Sequence, residues 1–488
     1  MSLVNWKVKS LSTLILIGFI AGLKSLSIDS ETEKILISTN EEEPIPRYGN
    51  TDQWTEDTGE FHLNSSNGVK EKEVWDWGVN YTEEQKQKNR MDAEKYLKAL
   101  NDYTFKLFMP CGWGTGWVLD YQIPETGKYP TIWYIATGAH VVWRLRFSDN
   151  TYNQTLPWYD KNTQHLRKTR EQEYNAIKDS QDEVRNNCDY VDKYGYIDMN
   201  LSQQEAGESR RADVGAIAKG QMKEPKLFFS AFNYLKKNEK NNTNYNHFSD
   251  FVILEIEFTS PEAAKEATNN FYGKQKEGKV INVLGKPIES RYTTKKELWQ
   301  AKDNYYHLAY PKGAKNKWVY TTNFNKHTTI ASHLAGDPED WEKEENKKKY
   351  RGFVKARDVM PDGYQVYGGF RWYGETYNEV GHFYKFQHNQ LGPGSSGGLF
   401  VDSNGNAVGV IVAGTNGNTF WVQPLRSVGV SEEEAGVKTP KYDLILGAEE
   451  QVNSYKKQVE EYVIKKGKQT WLSTRSEWNK GITQSKAT

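Results

Sequence analysis

From Thr104 onward the apolar residues arrive in short runs, among them Trp117-Val118-Leu119, Ile132-Trp133-Tyr134-Ile135-Ala136 and Val141-Val142-Trp143, separated by Gly, Pro and Asp. Runs of this length, rich in β-branched and aromatic residues and bounded by turn formers, read as strands. The same texture returns at residues 251–258, 366–386, 398–401, 407–413 and 419–422, with Asn404-Gly405 as a two-residue hairpin turn. A chain punctuated in this way folds as a mainly β protein. Aromatics make up 13% of it, with 30 Tyr and 16 Trp, which is too many for a disordered polymer.

Helices are expected at three places. Thr82 and Gln85 form a candidate capping box ahead of Ala93, Tyr96, Leu97 and Leu100 at helical spacing, which predicts a packed helix over 82–100. Ser260-Pro261-Glu262 opens a short helix with a cap residue and Pro at its first position. A last helix is expected over 448–466, ending before Gly467, with Val452, Tyr455, Val459 and Tyr462 on one face. The charged stretch 151–240 reads as an insertion.

Charge and cysteine content exclude several classes. In the 488 residues, 64 Lys plus Arg balance 64 Asp plus Glu, leaving no electrostatic footprint for nucleic acid or an anionic membrane surface. Only Cys111 and Cys188 are present, so the fold has at most one internal disulfide and cannot hold a four-cysteine zinc site. No cofactor or metal is implied. At the N-terminus, Lys7 and Lys9 precede an apolar run over 11–23 and then Lys24-Ser25-Leu26-Ser27. That run is short of the roughly 20 residues a spanning helix needs, so the segment reads as a secretory signal cleaved near Ser27, with an uncleaved anchor as the alternative. Residues 28–68 are polar with scattered Pro and read as a tether. An extracellular or cell-surface location follows.

The stretch Gly392-Pro393-Gly394-Ser395-Ser396-Gly397-Gly398 carries the chemistry. Glycines let backbone N–H groups converge beside a serine hydroxyl, as an oxyanion hole requires, so Ser396 is the candidate nucleophile with Gly394 and Ser396 as donors. Of nine histidines, His140 stands out at the end of an apolar strand followed by small residues, a placement that delivers an imidazole to a cleft edge. His327, His333, His382 and His388 suit surface or structural roles. The acid that would orient His140 is Asp250, immediately before the apolar run Phe251-Val252-Ile253-Leu254, with Asp213 as the alternative. Chain order discriminates between families. An α/β-hydrolase places its His after the nucleophile, and no His follows His388. A subtilisin order needs Asp before His and a helix after Ser, whereas here strands follow.

His, Asp, Ser in that order is accompanied by local likeness. Thr137-Gly138-Ala139-His140 resembles the Thr-Ala-Ala-His of chymotrypsin-like serine proteases, Asp250-Phe251-Val252-Ile253-Leu254 resembles their Asp-Ile-Ala-Leu-Leu, and Gly394 to Gly398 resembles Gly-Asp-Ser-Gly-Gly. Gly114-Thr115-Gly116-Trp117-Val118 is similar to their Gly-Ser-Gly-Phe-Val strand. The export signal, the Lys/Asn/Tyr-rich composition and the tail Tyr442-Asp443-Leu444-Ile445 with Asn453-Ser454-Tyr455 resemble the mycoplasma immunoglobulin-degrading serine protease family. The resemblance implies a chymotrypsin-like double antiparallel β-barrel with helical and loop insertions, and an exported trypsin-like serine endopeptidase. It also implies Gln390 at the base of an uncharged specificity pocket, immunoglobulin heavy chain as substrate, and a separate antibody-binding partner protein.

The organisation expected is a signal or anchor (1–27), a tether (28–81), a leading helix (82–103) and a first barrel with its insertion (104–260). A helical and loop connector (261–350), a second barrel bearing the nucleophile (351–447) and a C-terminal helix and tail (448–488) follow. Two departures matter. Ser395 stands where trypsin-like zymogens carry an Asp, so no activating salt bridge to a new N-terminus is expected, and the spacings of 110 and 146 residues between His140, Asp250 and Ser396 require large insertions. The competing reading is a surface binding protein or adhesin on a protease-like scaffold that no longer cleaves. A quality-control protease is disfavoured, since no peptide-binding domain is evident after Val422.

Overall fold

The computed structural model describes residues 82–109, 112–143, 145, 147, 149–157, 220–236, 246–275, 281–310, 320–321, 327–354, 358–359, 365–372, 375–387, 394–415, 419–432 and 437–480. Helix α1 (Glu83–Tyr103) starts where the capping box predicted, with Thr82 Oγ1 accepting the Gln85 amide and Gln85 returning a bond to the Thr82 amide. Its Ala93, Tyr96, Leu97 and Leu100 are buried. The strands that follow are β1 (Thr104–Met109), β2 (Gly112–Tyr121), β3 (Ile132–Thr137), β4 (Lys226–Phe232), β5 (His247–Glu257), β6 (Tyr305–Ala309), β7 (Tyr320–Thr321) and β8 (His327–Leu334). Then come β9 (Asp358–Val359), β10 (Gln365–Trp372), β11 (Glu375–Val380), β12 (Tyr384–Gln387), β13 (Leu399–Asp402), β14 (Ala407–Thr415) and β15 (Thr419–Pro424).

Six of them close on themselves. The order β12-β15-β14-β13-β6-β8 returns to β12 through Phe386↔Leu334 and Gln387↔His333, which makes a barrel with no free edge among those strands. Its interior is packed by aromatics, with Phe386 stacked on Phe400 at 4.7 Å and against Tyr305 at 4.8 Å. The other sheet runs β1-β2-β3-β5-β11-β10-β9 with β4 also on β5, and among the described residues it does not close. Sheet membership cuts across the blocks read from sequence. β6 and β8, from the stretch expected to be a connector, are barrel strands, while β9 to β11, from the stretch expected to be the second barrel, extend the open sheet.

The strand β5 organises that sheet. Phe248 pairs with Phe232 of β4 and also with Glu379 of β11, so β11 occupies the edge opposite β4. That edge is the one β3 uses from Val252 onward. β3 therefore leaves β5 where β11 joins it, and the strand forks at residues 249–251.

Three local expectations change. Val141 and Val142 lie in a helical turn, α2 (Ala139–Val142), because the Val141 amide closes onto Gly138 O and a carboxylate takes the His140 amide. The Asn404-Gly405 hairpin has a three-residue loop: Asp402 N–H bonds Asn406 O, the Asp402 carboxylate takes the amides of Asn404 and Asn406, and Gly405 sits at φ 77. The helix expected over 448–466, α4, is only Tyr455–Tyr462, since Ser454 caps it through the Lys457 amide, whereas Val452 is exposed and donates its amide to Tyr234 O. Gly467 terminates the segment at φ 74 as predicted, and the Ser260 cap opens α3 (Pro261–Ala267). Cys111, Cys188, Asp213, Gln390 and the expected signal and tether lie outside the described residues. No helix among the described residues is long and apolar enough to cross a membrane.

The C-terminal segment is fastened to β2 by one carboxylate. Asp120, fully buried beside a register shift in β2, accepts the amides of Tyr121 (2.8 Å) and Leu472 (2.9 Å) through Oδ1 and the Tyr455 hydroxyl (2.9 Å) through Oδ2. Burial pushes this carboxyl up to about 7, against the pull of those bonds and of Thr470. A carboxyl whose folded value is raised keeps its proton from about pH 4 to about pH 7 while the unfolded chain has lost it, so stability falls across that window. Asp120→Asn should flatten the pH dependence of urea unfolding between pH 4.5 and pH 7.5 by on the order of 4 kcal/mol. Parallel profiles for variant and wild type would refute it.

Candidate active site

His140 enters the site on the first turn of α2, immediately past the end of β3. Asp250 holds it twice: Oδ1 accepts the His140 backbone amide at 2.9 Å and Oδ2 lies 2.5 Å from Nδ1. Two bonds to one carboxylate fix both the position of the residue and the plane of its ring, and the Nδ1 contact assigns the proton to that nitrogen, leaving Nε2 as a base. Asp250 is 2% exposed and occupies the fork in β5, where a β4–β5 register shift between Ser230 and Phe232 places three β5 residues opposite one of β4. Bulges of this kind re-aim side chains beside functional sites. Burial of the acid and partial exposure of the imidazole suit an orienting group and a working group.

Ser396 arrives from the other sheet, in the turn that leads into β13. Its carbonyl accepts the Thr115 amide at 2.8 Å, and the Gly394 carbonyl accepts the Thr115 hydroxyl at 2.9 Å. Thr115 also receives the Thr137 hydroxyl on its own carbonyl and the Tyr310 amide on its Oγ1. One residue of β2 thereby ties the nucleophile loop to β3, the strand that leads to His140. Gly394 and Gly397 have φ of 95 and 84, a region that favours glycine. At Gly397 a Cβ would also lie 2.2 Å from both Thr115 O and Thr137 Oγ1 and 3.1 Å from the Gly138 amide, so the loop can approach this closely only without a side chain. Gly138 in turn abuts the other partners, since a Cβ there would lie 3.2 Å from His140 Nδ1 and 3.3 Å from Asp250 Oδ1.

The loop is held from behind as well. Gly397 N–H bonds Ile411 O at 2.7 Å, Ile411 N–H bonds Gly398 O at 2.9 Å, and Gly398 N–H bonds Ser395 O at 3.0 Å. The amides of Gly394 and Ser396 donate to no backbone acceptor among the described residues. Ser395 is buried and its hydroxyl has no hydrogen-bond partner among the described residues. Glu379 of β11 is buried near Asp250. Burial first, then the charge of Asp250, push the Glu379 carboxyl well above the usual carboxylate range.

Of the four histidines read as surface or structural, only His333 and His382 have described side chains. Among the described residues only His140 contacts a carboxylate. His382 is buried and stacked 4.2 Å from Phe353, with burial pulling its ring down to about 3, so it is a neutral packing residue. His333 is buried, and His388 lies outside the described residues. Sequence reasoning named His140, Asp250, Ser396 and Gly394, which the fold gathers around Gly138 and Thr115. It gave no role to Thr115, although the Gly-Thr-Gly pattern around it marks a strand that something overlies, and none to Glu379, whose polar surroundings signal nothing. Among the described residues no group of three or more His, Cys, Asp or Glu could hold a metal ion.

The family described as Mycoplasma immunoglobulin protease matches residues 77–413. A solved structure of the mycoplasma MIB and MIP proteins is similar at 14% identity and a TM-score of 0.41, over 75% of this chain and 61% of that one, so the chain spans less than two thirds of it. A crystal structure of the Rv3671c protease in an inactive form is similar at 13% identity and a TM-score of 0.27, over 67% of this chain and 86% of that one. No curated protein matches the chain.

If Thr115 is the tie, Thr115→Val removes the donor to Gly394 O and the acceptor for Tyr310 N–H at almost constant volume. Leaving two buried groups unpaired should destabilise the fold by about 2 to 4 kcal/mol and slow the reaction of Ser396 with a phosphonate probe about tenfold. Unchanged unfolding and labelling would remove Thr115 from this role.

Proposed function

Because the chain belongs to the Mycoplasma immunoglobulin protease family, we propose that it is a serine endopeptidase working through His140, Asp250 and Ser396. The observation that carries this reading is the double hold of Asp250 on His140, together with Thr115, which anchors the Ser396 loop and takes the Thr137 hydroxyl at the end of β3. In the reaction, Ser396 Oγ bonds to the scissile carbonyl carbon as its proton passes to His140 Nε2. The carbonyl oxygen gains the displaced electron pair and sits against the amides of Gly394 and Ser396. When that pair returns, the C–N bond breaks and the leaving nitrogen takes the proton from His140. Water then repeats the sequence on the acyl-enzyme, releasing the acid and restoring Ser396. Asp250 stays ionised throughout and stabilises the imidazolium.

The wider proposal follows the family. The closed barrel and the open sheet correspond to the two barrels of a chymotrypsin-like fold, the enzyme is exported, and its substrate is immunoglobulin heavy chain presented by an antibody-binding partner protein. Gln390 lines an uncharged specificity pocket, so selection for basic residues is not part of the reading. Ser395 supports a site formed without an activating cleavage, since a buried hydroxyl cannot compensate a buried ammonium.

The test is incubation of the chain with intact antibody, with and without an antibody-binding partner, beside labelling by a serine-directed phosphonate. Ser396→Ala should abolish both cleavage and labelling and leave the unfolding midpoint in place, whereas residual turnover, or a larger loss from Ser395→Ala, would reassign the nucleophile. Asp250→Asn keeps an oxygen for the His140 amide but turns an N–H toward Nδ1, so turnover should fall about 10,000-fold with the fold intact. A chain beginning near Ile28 and verified as uncut should label at once. Labelling that awaits a cleavage between Ile28 and Thr104 would make it a zymogen.

A further inference from the structure

β3 pairs with β5 down to Val252, β11 pairs at His247 and Phe248, and on the opposite edge the β4 ladder steps from Val252 to Phe248. Among the described residues no strand is in register with Ser249, Asp250 or Phe251. Asp250 is the middle one, so its place depends on what else holds its neighbours. Phe251 is buried, with its ring 6.4 Å from that of Phe229. Ser249 is fully buried, and its hydroxyl lies 2.8 Å from that of Tyr234, its only hydrogen-bond partner among the described residues.

Tyr234 is itself fixed. It lies in the segment Asn233 to Leu235, just past β4, which grips β5 on the N-terminal side of the gap. The Asn233 amide donates to His247 O at 2.8 Å, Asn233 Oδ1 takes the His247 amide at 3.0 Å, and the Leu235 amide donates to His247 Nε2 at 3.0 Å. The Tyr234 carbonyl accepts the Val452 amide at 2.8 Å, and its fully buried ring lies edge-on to His247 at 5.6 Å and to Tyr442 at 5.8 Å. A phenol held by backbone and ring presents its hydroxyl at one place, and Ser249 is thereby anchored to a point outside β5. The next residue has little slack: Asp250 Oδ2 lies 2.5 Å from His140 Nδ1 and Oδ1 2.9 Å from the His140 amide.

We propose that Tyr234 is a positioning residue for the site, whose hydroxyl, bonded to that of Ser249, holds the unpaired stretch of β5 and so sets the Asp250 carboxylate against His140. Two buried hydroxyls that face each other satisfy each other, and removing one orphans the other, so the strand can find a new partner only by moving. The inference rests on the reading of Asp250 and His140 as triad members.

The experiment uses the full chain as wild type, Tyr234→Phe, Ser249→Ala and the double variant, each verified as folded by its unfolding transition. It reads the phosphonate labelling rate of Ser396 and the NMR resonance of the His140 Nδ1 proton, whose shift reports the length of the bond to Asp250. Each single variant should slow labelling about tenfold, the scale of one hydrogen bond, and move the Nδ1 resonance upfield. The double variant should label within about threefold of the slower single one, because the same bond cannot be lost twice. Labelling of Tyr234→Phe at the wild-type rate, an unmoved Nδ1 resonance, or losses that multiply in the double variant each overturn the proposal. An unmoved resonance beside slowed labelling is the signature of general loosening and counts against it equally. If Tyr234→Phe does not fold, Ser249→Ala alone is judged by the same rate and resonance. If wild-type Ser396 is not labelled at all, the protease reading fails, while the Nδ1 resonance of Tyr234→Phe against wild type still decides whether Tyr234 sets the contact between Asp250 and His140.

Discussion

Where β3 leaves one edge of β5 and β11 takes it over, the strand loses its ladder for three residues, and the rest of the site is built around that gap. A strand paired along its whole length would point Asp250 along the regular alternation and hold its amide in the sheet. The fork and the bulge free the side chain. The side chain then reaches across the end of β3 to take the backbone and the ring of His140.

The second constraint is the seam between the open sheet and the closed barrel. Asp250 and His140 belong to the first and Ser396 to the second, so their relation depends on what joins the two. Thr115 does this with three of its own atoms, bonding Ser396 O, Gly394 O and the Thr137 hydroxyl. Gly114 and Gly116 flank it for steric reasons. A Cβ at Gly114 would lie 2.4 Å from Val141 and 3.3 Å from Ser396 O, and one at Gly116 would meet Leu107 at 2.6 Å. A closed six-strand ring stands behind the nucleophile loop, and Ile411 on that ring bonds the loop in both directions. The loop is therefore clamped between a strand of each sheet, a rigid support of the kind that positioned chemistry requires.

Local signals were legible wherever a few neighbouring residues decide the outcome. Thr82 with Gln85, Ser260 with Pro261, and Gly467 each marked a helix end, because capping is a contest among adjacent amides. The segments around His140, Asp250 and Ser396 were legible for the same reason: a strand end, a strand start and a glycine turn are local patterns. Sheet membership was not. Nothing in Tyr305-Tyr306-His307-Leu308-Ala309 says that it lies between β13 and β8, because the ladder is set by partners far along the chain. Val141-Val142-Trp143 has strand composition, yet a tertiary bond from Asp250 to the His140 amide turns it into helix. Glu379 was invisible because its neighbours Asn378 and Glu375 read as solvent-facing, and only the fold buries it.

The family match ends at residue 413, inside β14, but the fold does not divide there. The barrel closes only through β15, which pairs with both β14 and β12. Beyond it, Arg426 is buried against Asp443 and gives its remaining donors to Gly285 O and Val283 O, so both charges are satisfied out of water. Breaking such a pair from one side leaves an uncompensated buried charge, which is far more costly than never having built it. Further on, Tyr455 and Leu472 satisfy the Asp120 carboxylate, five residues from Thr115 on the same strand. The strand that carries the tie to Ser396 is thus anchored at its other end by the last part of the chain. A fragment cut at residue 413 would open the barrel, orphan Asp120 and loosen β2, so the residues after the match belong to the structural support of the site.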